Sequence, residues 1–96
     1  MDLFQVLSLA GTRKVLEALA KRGKPTKYKQ LVLAVGFSTT TSRCLKAMMA
    51  NGIVTRRILD EPYRPVEYRL TMKGQKLAEL ATQIEELSKG PPQAFL

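Results

Sequence analysis

The 96-residue sequence has no histidine, no tryptophan, a single cysteine (Cys44) and only 8 acidic residues. Without histidine and with one thiol, there is no His-bearing or multi-Cys zinc site, no His-based triad and no internal disulfide. Metal and thiol–imidazole chemistry fall away, so the expectation is a non-enzyme with no metal and no cofactor. No run approaches the roughly 20 apolar residues of a membrane span. The apolar stretch Leu3 to Ala10 has no basic residue before it and is broken by Gln5 and Ser8, which makes a poor signal peptide. A cytoplasmic chain with no membrane partner is expected.

What is present is positive charge. Sixteen Lys and Arg give a formal net charge of +8, while 45% of the residues are hydrophobic. A chain this long buries roughly 60–65% of its unfolded surface in one core and has no room for two. Its surface concentrates polyanions by long-range attraction, with nucleic acid ahead of an acidic membrane or protein.

Apolar spacing and capping residues divide the chain into five helices and a hairpin. Asp2, with Gln5 three residues on, forms a capping box for a first helix whose inner face is Leu3, Val6, Leu7 and Ala10, ending at Gly11. Thr12 is expected to cap a second helix with Val15, Leu16, Leu19 and Ala20 inward and Gly23 as its left-handed stop. After the connection Lys24-Pro25-Thr26, Lys27 to Val35 reads as a helix with Tyr28, Leu31, Val32 and Val35 inward, closed by Gly36, and Phe37 is expected to plug the turn from the core side. Ser38 is the expected cap of the next helix, in which Thr41, Leu45, Met48 and Gly52 repeat along one face. That leaves Thr39, Thr40, Ser42, Arg43, Lys46 and Ala47 on or near the other. Cys44 and Met48 read as core-filling residues, Cys44 partly buried. Ile53 to Leu59 and Val66 to Thr71 alternate as strands around the exposed tip Asp60 to Pro65. Thr71 caps a last helix to about Ser88, where Leu77, Leu80, Ile84 and Leu87 form an a/d seam.

After the first helix, three helices, a two-stranded hairpin and a helix, in that order, make a winged helix-turn-helix: an α+β, mostly helical fold with a two-stranded wing and terminal dimerisation helices. Residues 1–88 form its single domain, with 1–10 and 72–88 as the dimerisation helices and 89–96 as a flexible tail. Charge follows the same division. Between Thr12 and Arg57 there are 11 basic residues against Glu17 alone, a local balance of +10, whereas from Leu77 onward Lys89 faces Glu79, Glu85 and Glu86.

Gly52-Ile53-Val54-Thr55-Arg56-Arg57, followed by Arg64-Pro65-Val66-Glu67-Tyr68-Arg69-Leu70-Thr71 and Gly74, resembles the wing of HxlR-type regulators. Leu45 to Val54 is similar to the recognition-helix end that MarR-like and ArsR-like winged helices share. The resemblance covers about Gly11 to Leu80 and implies a dimeric, sequence-specific transcription regulator. Near the start, only Gly11-Thr12-Arg13 stands where HxlR-type proteins carry a Cys-Pro element and a Gly-Gly-Lys-Trp string, so no thiol-sensing role is carried over.

The residues themselves outline a contact surface for double-stranded DNA. A helix N-terminus with small hydroxyl side chains, Ser38, Thr39, Thr40 and Thr41, suits a phosphate, and Ser42, Arg43 and Lys46 continue the face toward base edges. Lys27 and Lys29 would meet the backbone from the preceding helix, and Arg64 at the wing tip would reach the minor groove, opposed there by Asp60 and Glu61. Arg56 and Arg57 point to opposite faces, so at most one faces DNA; Arg57 is assigned to the site. A homodimer is expected through Leu3, Val6, Leu7, Leu77, Leu80, Ile84 and Leu87. The alternatives are a sequence-tolerant, nucleoid-type architectural protein and a winged-helix protein-interaction module. The adjacent Met48 and Met49 read as core filling ahead of an effector pocket, and the sequence leaves open whether a small-molecule effector exists.

Overall fold

A computed structural model describes residues 1–90, so most of the expected tail, with its closing Pro91-Pro92, lies outside the described residues. In chain order the elements are α1 (Leu3–Ser8), α2 (Thr12–Arg22), β1 (Thr26–Lys27), α3 (Tyr28–Val35), α4 (Ser38–Ala50), β2 (Val54–Ile58), β3 (Val66–Leu70) and α5 (Met72–Ser88). This is the winged helix-turn-helix order. The expected wing, β2 and β3, is joined by a third strand, giving an antiparallel sheet of order β1-β3-β2. β1 is only two residues of the segment read as a plain connection, recruited where Thr26 and Lys27 lie beside Tyr68 and Glu67.

Several boundaries follow from local chemistry. The Asp2 carboxylate accepts from the Gln5 amide at 2.9 Å while the Gln5 side chain accepts from the Asp2 amide at 2.8 Å, the reciprocal capping box. Gly23 and Gly36 close α2 and α3 in the left-handed conformation. Thr71 caps α5 by accepting from the Gly74 amide at 3.0 Å, and its own hydroxyl faces the Gly52 and Ile53 carbonyls at 2.5 and 3.1 Å.

Two expected caps do not form. Gly11, at φ 89°, takes the N-cap position of α2, and Thr12 becomes the first helical residue with its hydroxyl buried and unpartnered. The corner is pressed into the fold: a Cβ on Gly11 would lie 3.1 Å from both Thr40 Cγ2 and Val35 Cγ1, so packing draws Thr12 inward. Likewise Phe37, not Ser38, is the N-cap of α4, and no side chain caps that end. Phe37 does not plug the turn; its ring is 70% exposed, because Val35 and Thr41 already occupy the inward positions there.

The core forms where α2, α3 and α4 meet the sheet and the first turns of α5. Leu16, Leu31, Leu45, Met48 and Ile53 are its largest fully buried side chains, joined by Val6 from α1 and Leu77 from α5. Ala10 and Ala20, expected inward, are exposed, and Cys44 is fully rather than partly buried. α1 packs on α2 and α4, whereas α5 packs on α2 and β3. An ion pair also ties α5 back to α2: Arg13 Nη2 lies 2.6 Å from Glu85 Oε1, with Glu17 at 3.6 Å from Arg13 Nε. Arg13 thus binds the acidic helix and does not belong to a free basic face, so the two charge regions are clasped together. No helix among the described residues is long and apolar enough to cross a membrane.

Candidate nucleic-acid interface

The exposed face of α4 follows from its 3.6-residue period. Thr41, Cys44, Leu45 and Met48 are buried, which turns Thr39, Arg43, Lys46 and Ala50 to solvent on the opposite side. Ser42 flanks this face toward α3, and the half-buried Thr40 flanks it toward the α1–α2 corner, beside Gly11. α4 carries no Asp or Glu anywhere along its length. Its first turn has neither an acidic residue nor a side-chain cap, so the backbone amides there face outward without a competing carboxylate. The Thr41 hydroxyl is spent on the Phe37 carbonyl at 2.7 Å and is buried, so it takes no part in that surface.

Tyr28 fixes how α4 sits. From the first turn of α3, its hydroxyl lies 2.5 Å from Ser42 Oγ and donates to the Ser38 carbonyl at 3.2 Å. Its ring is tilted against Tyr68 of β3, with centroids 6.4 Å apart. The sequence reading placed Tyr28 in the core by periodicity; the hydroxyl contact to a helix 14 residues away carries no local signal.

The basic residues proposed from sequence are distributed over several surfaces. Arg43 and Lys46 are exposed together on α4. Lys29 is exposed in the first turn of α3, whereas Lys27 lies in β1 and is the N-cap of α3. The register pairs Lys27 and Arg57 on either side of Glu67, on one face of the sheet. Arg56 pairs with Tyr68 on the other face, the one that packs toward the helices. Arg64 stands at the wing tip at φ 44°, its amide donating to the Glu61 carbonyl at 2.8 Å in the turn.

Of the residues proposed for dimerisation, Val6 and Leu77 are consumed by the chain's own core and Leu7 is half-buried. Leu3 and Leu80 are partly exposed, Ile84 and Leu87 are 60% and 81% exposed, and Phe4, which the apolar spacing missed, is 84% exposed. Cys44 lies inside α4, where burial pushes its thiol pKa up and its Sγ donates to the Thr41 carbonyl at 3.3 Å. It is a protonated, enclosed thiol at neutral pH.

An uncapped basic helix presented beside a two-stranded wing defines a winged helix-turn-helix protein of the DNA-binding, transcription-regulating class. Its structural likenesses agree in fold. The transcriptional regulator YodB from B. subtilis, in its reduced form, superposes with a TM-score of 0.78 at 21% identity, over 97% of this chain and 91% of that one. MepR of S. aureus, in a complex with DNA, gives 0.74 at 20% identity over 91% and 73%. A MarR-family regulator from Porphyromonas gingivalis W83 gives 0.76 at 20% identity over 88% and 83%. No curated protein matches the chain. The HxlR-like helix-turn-helix family model matches residues 12–92, and the chain belongs to that family. Family and fold are those of transcription regulators, not of enzymes.

Proposed function

We propose that the protein is a homodimeric regulator that recognises particular duplex DNA sequences, inserting α4 into the major groove. The observation that carries this is the α4 surface: Thr39, Ser42, Arg43 and Lys46 exposed together on a helix with no acidic residue and an N-terminus that no side chain caps. Arg43 suits bidentate contact with a guanine edge, while the first-turn amides and Ser38, Thr39 and Thr40 suit phosphate. Lys27 and Lys29 add backbone contacts, and Arg64 steadies the wing at the minor groove. The likeness in fold to MepR, solved in a complex with DNA, supports DNA as the partner.

Residues 1–88 act as one unit, and the second copy is held through the ends of the chain. Leu80, Ile84 and Leu87 leave an apolar strip uncovered on α5, and Leu3 and Phe4 leave another on α1. A charged helix does not leave such a strip in water without cost, and a two-fold partner offers the same strip in return. Two α4 helices then meet half-sites about one helical turn apart.

The test is selection of bound sequences from a random duplex pool, followed by competition with random DNA near 0.15 M salt. A regulator retains a preference of about 10³ or more for the selected site. Equal competition by every sequence defeats the specific reading in favour of an architectural protein, and absence of duplex binding defeats both. At the selected site Arg43→Ala costs about 1–3 kcal/mol and relaxes one position, whereas Lys27→Ala weakens all duplexes alike.

A further inference from the structure

Between α4 and the inner face of the wing lies an open cavity of about 430 Å³, which shares Ser42 and Lys46 with the recognition surface and adds Arg56 of the wing. Lys46 of α4 and Arg56 of β2 supply its two cations, Ser42 and Tyr28 line it with hydroxyls, and Leu45, Met49 and the Tyr68 ring form its floor. No carboxylate lines it, and among the described residues neither Lys46 nor Arg56 is ion-paired. Two free cations and hydroxyls over an apolar floor select a compact anion with an apolar flank.

We infer that this cavity seats one phosphodiester group of the DNA strand that passes between recognition helix and wing, with Lys46 and Arg56 as its ligands. The inference rests on the proposed docking of α4 and deepens it. A helix in the major groove and a hairpin tip at the adjoining minor groove are separated by one sugar–phosphate strand, which must cross the cleft between those two elements. The cations lining that cleft are Lys46 and Arg56, while the sugar flank meets the half-buried Met49. Arg57 projects from the opposite face of the sheet, away from the cavity, with Glu67 as its cross-strand neighbour. The wing arginine that engages the backbone is therefore Arg56. Tyr28 is a positioning residue: through Ser42 Oγ and the Ser38 carbonyl it holds the helical rim of the cavity.

The experiment uses the full chain and its selected duplex, with single uncharged methylphosphonate linkages placed in turn along each half-site. For the unsubstituted protein, one linkage near the junction of major and minor groove lowers affinity roughly tenfold, as expected for a charge-assisted contact. In Arg56→Gln the same linkage costs less than about twofold and the salt slope falls by about 0.9, whereas Arg57→Gln keeps the full penalty. Thermal melting accompanies each variant; both arginines are exposed, so the fold is retained. A penalty that survives in Arg56→Gln and vanishes in Arg57→Gln, or no linkage that responds to Arg56, overturns the inference while the groove-docking reading stands. Failure of the unsubstituted protein to bind any duplex overturns both.

Discussion

Substituting Gly74 tests the joint between wing and terminal helix. Gly74 sits in the first turn of α5, where glycine to alanine ordinarily stabilises a helix by about 1 kcal/mol. Here an added Cβ would stand 2.0 Å from the Ile53 carbonyl oxygen and 3.1 Å from both Ile53 C and Leu70 Cδ2. A carbon–oxygen contact relaxes only beyond about 3.3 Å, so helix and strand must part by more than an ångström. Ile53 is fully buried, and its carbonyl accepts from the Thr71 amide at 3.0 Å, with the Thr71 hydroxyl at 3.1 Å. Parting the two elements stretches those bonds, each worth about 0.5–1.5 kcal/mol, and disturbs the Thr71 cap, worth about 1 kcal/mol. Set against the helix-propensity gain, Gly74→Ala is expected to destabilise by about 1–3 kcal/mol. In a domain of this size that lowers Tm by at least about 4 °C. Urea unfolding followed by circular dichroism measures it, with Gln75→Ala, an exposed neighbour, as the propensity control. A Gly74→Ala protein as stable as the parent would refute the close approach of α5 to Ile53.

Thr12→Val replaces an unpartnered buried hydroxyl by a methyl of similar size and is expected to raise stability by about 1 kcal/mol in the same titration; a loss would mean that the hydroxyl has a partner. Cys44 should react with an aromatic disulfide reagent at pH 8 at least about 100-fold more slowly in the folded protein than in urea. Because burial raises its folded pKa, the unfolded thiol ionises first, so the Cys44 contribution to stability is full below the ordinary thiol value and is lost as pH rises above it. A Cys44→Ala protein lacks that part of the alkaline decline, and identical pH profiles would contradict the burial. Leu80→Glu with Ile84→Glu places charges in the exposed α5 strip and is expected to give monomers in sedimentation; a persistent dimer would exclude that surface. Arg64→Gly relieves a left-handed non-glycine residue, stabilising the hairpin by up to about 1 kcal/mol while lowering the salt slope of DNA binding by about one. Unchanged salt dependence would remove Arg64 from the backbone contacts.

Much of the fold was legible because its punctuation is local. Asp2 with Gln5, Gly23, Gly36 and Thr71 each act within four residues of the end they define, and their types suffice to place those ends. The failures share a different cause. Thr12 and Ser38 have the right side chains for caps, yet tertiary packing at Gly11 and the inward claim of Val35 and Thr41 moved each cap one residue upstream. β1 has no pattern of its own: two residues become a strand only because β3 offers an open edge beside them.

Charge was readable as a total and only in part as a surface. Arg13 raised the balance of the proposed reading half, but Glu85 holds it at 2.6 Å, so the residue that suggested separation in fact joins α2 to α5. The paired arginines of β2 make the sharper case. Alternation alone separates Arg56 from Arg57 but does not say which face meets α4. Nor do the neighbours decide it, since Val54 and Ile58 share the parity of Arg56 while Ile53 and Leu59 share that of Arg57; the register decides it, because Arg56 pairs with the buried Tyr68. Arg56 is thus a cation on the apolar side of its strand, a placement that is costly unless the side chain emerges into a cavity or meets an anion. Its exposure beside Lys46 satisfies the first condition in the free protein. The second is what a DNA phosphate would supply, and it is why this arginine, rather than its more conventionally placed neighbour, distinguishes the two sides of the wing.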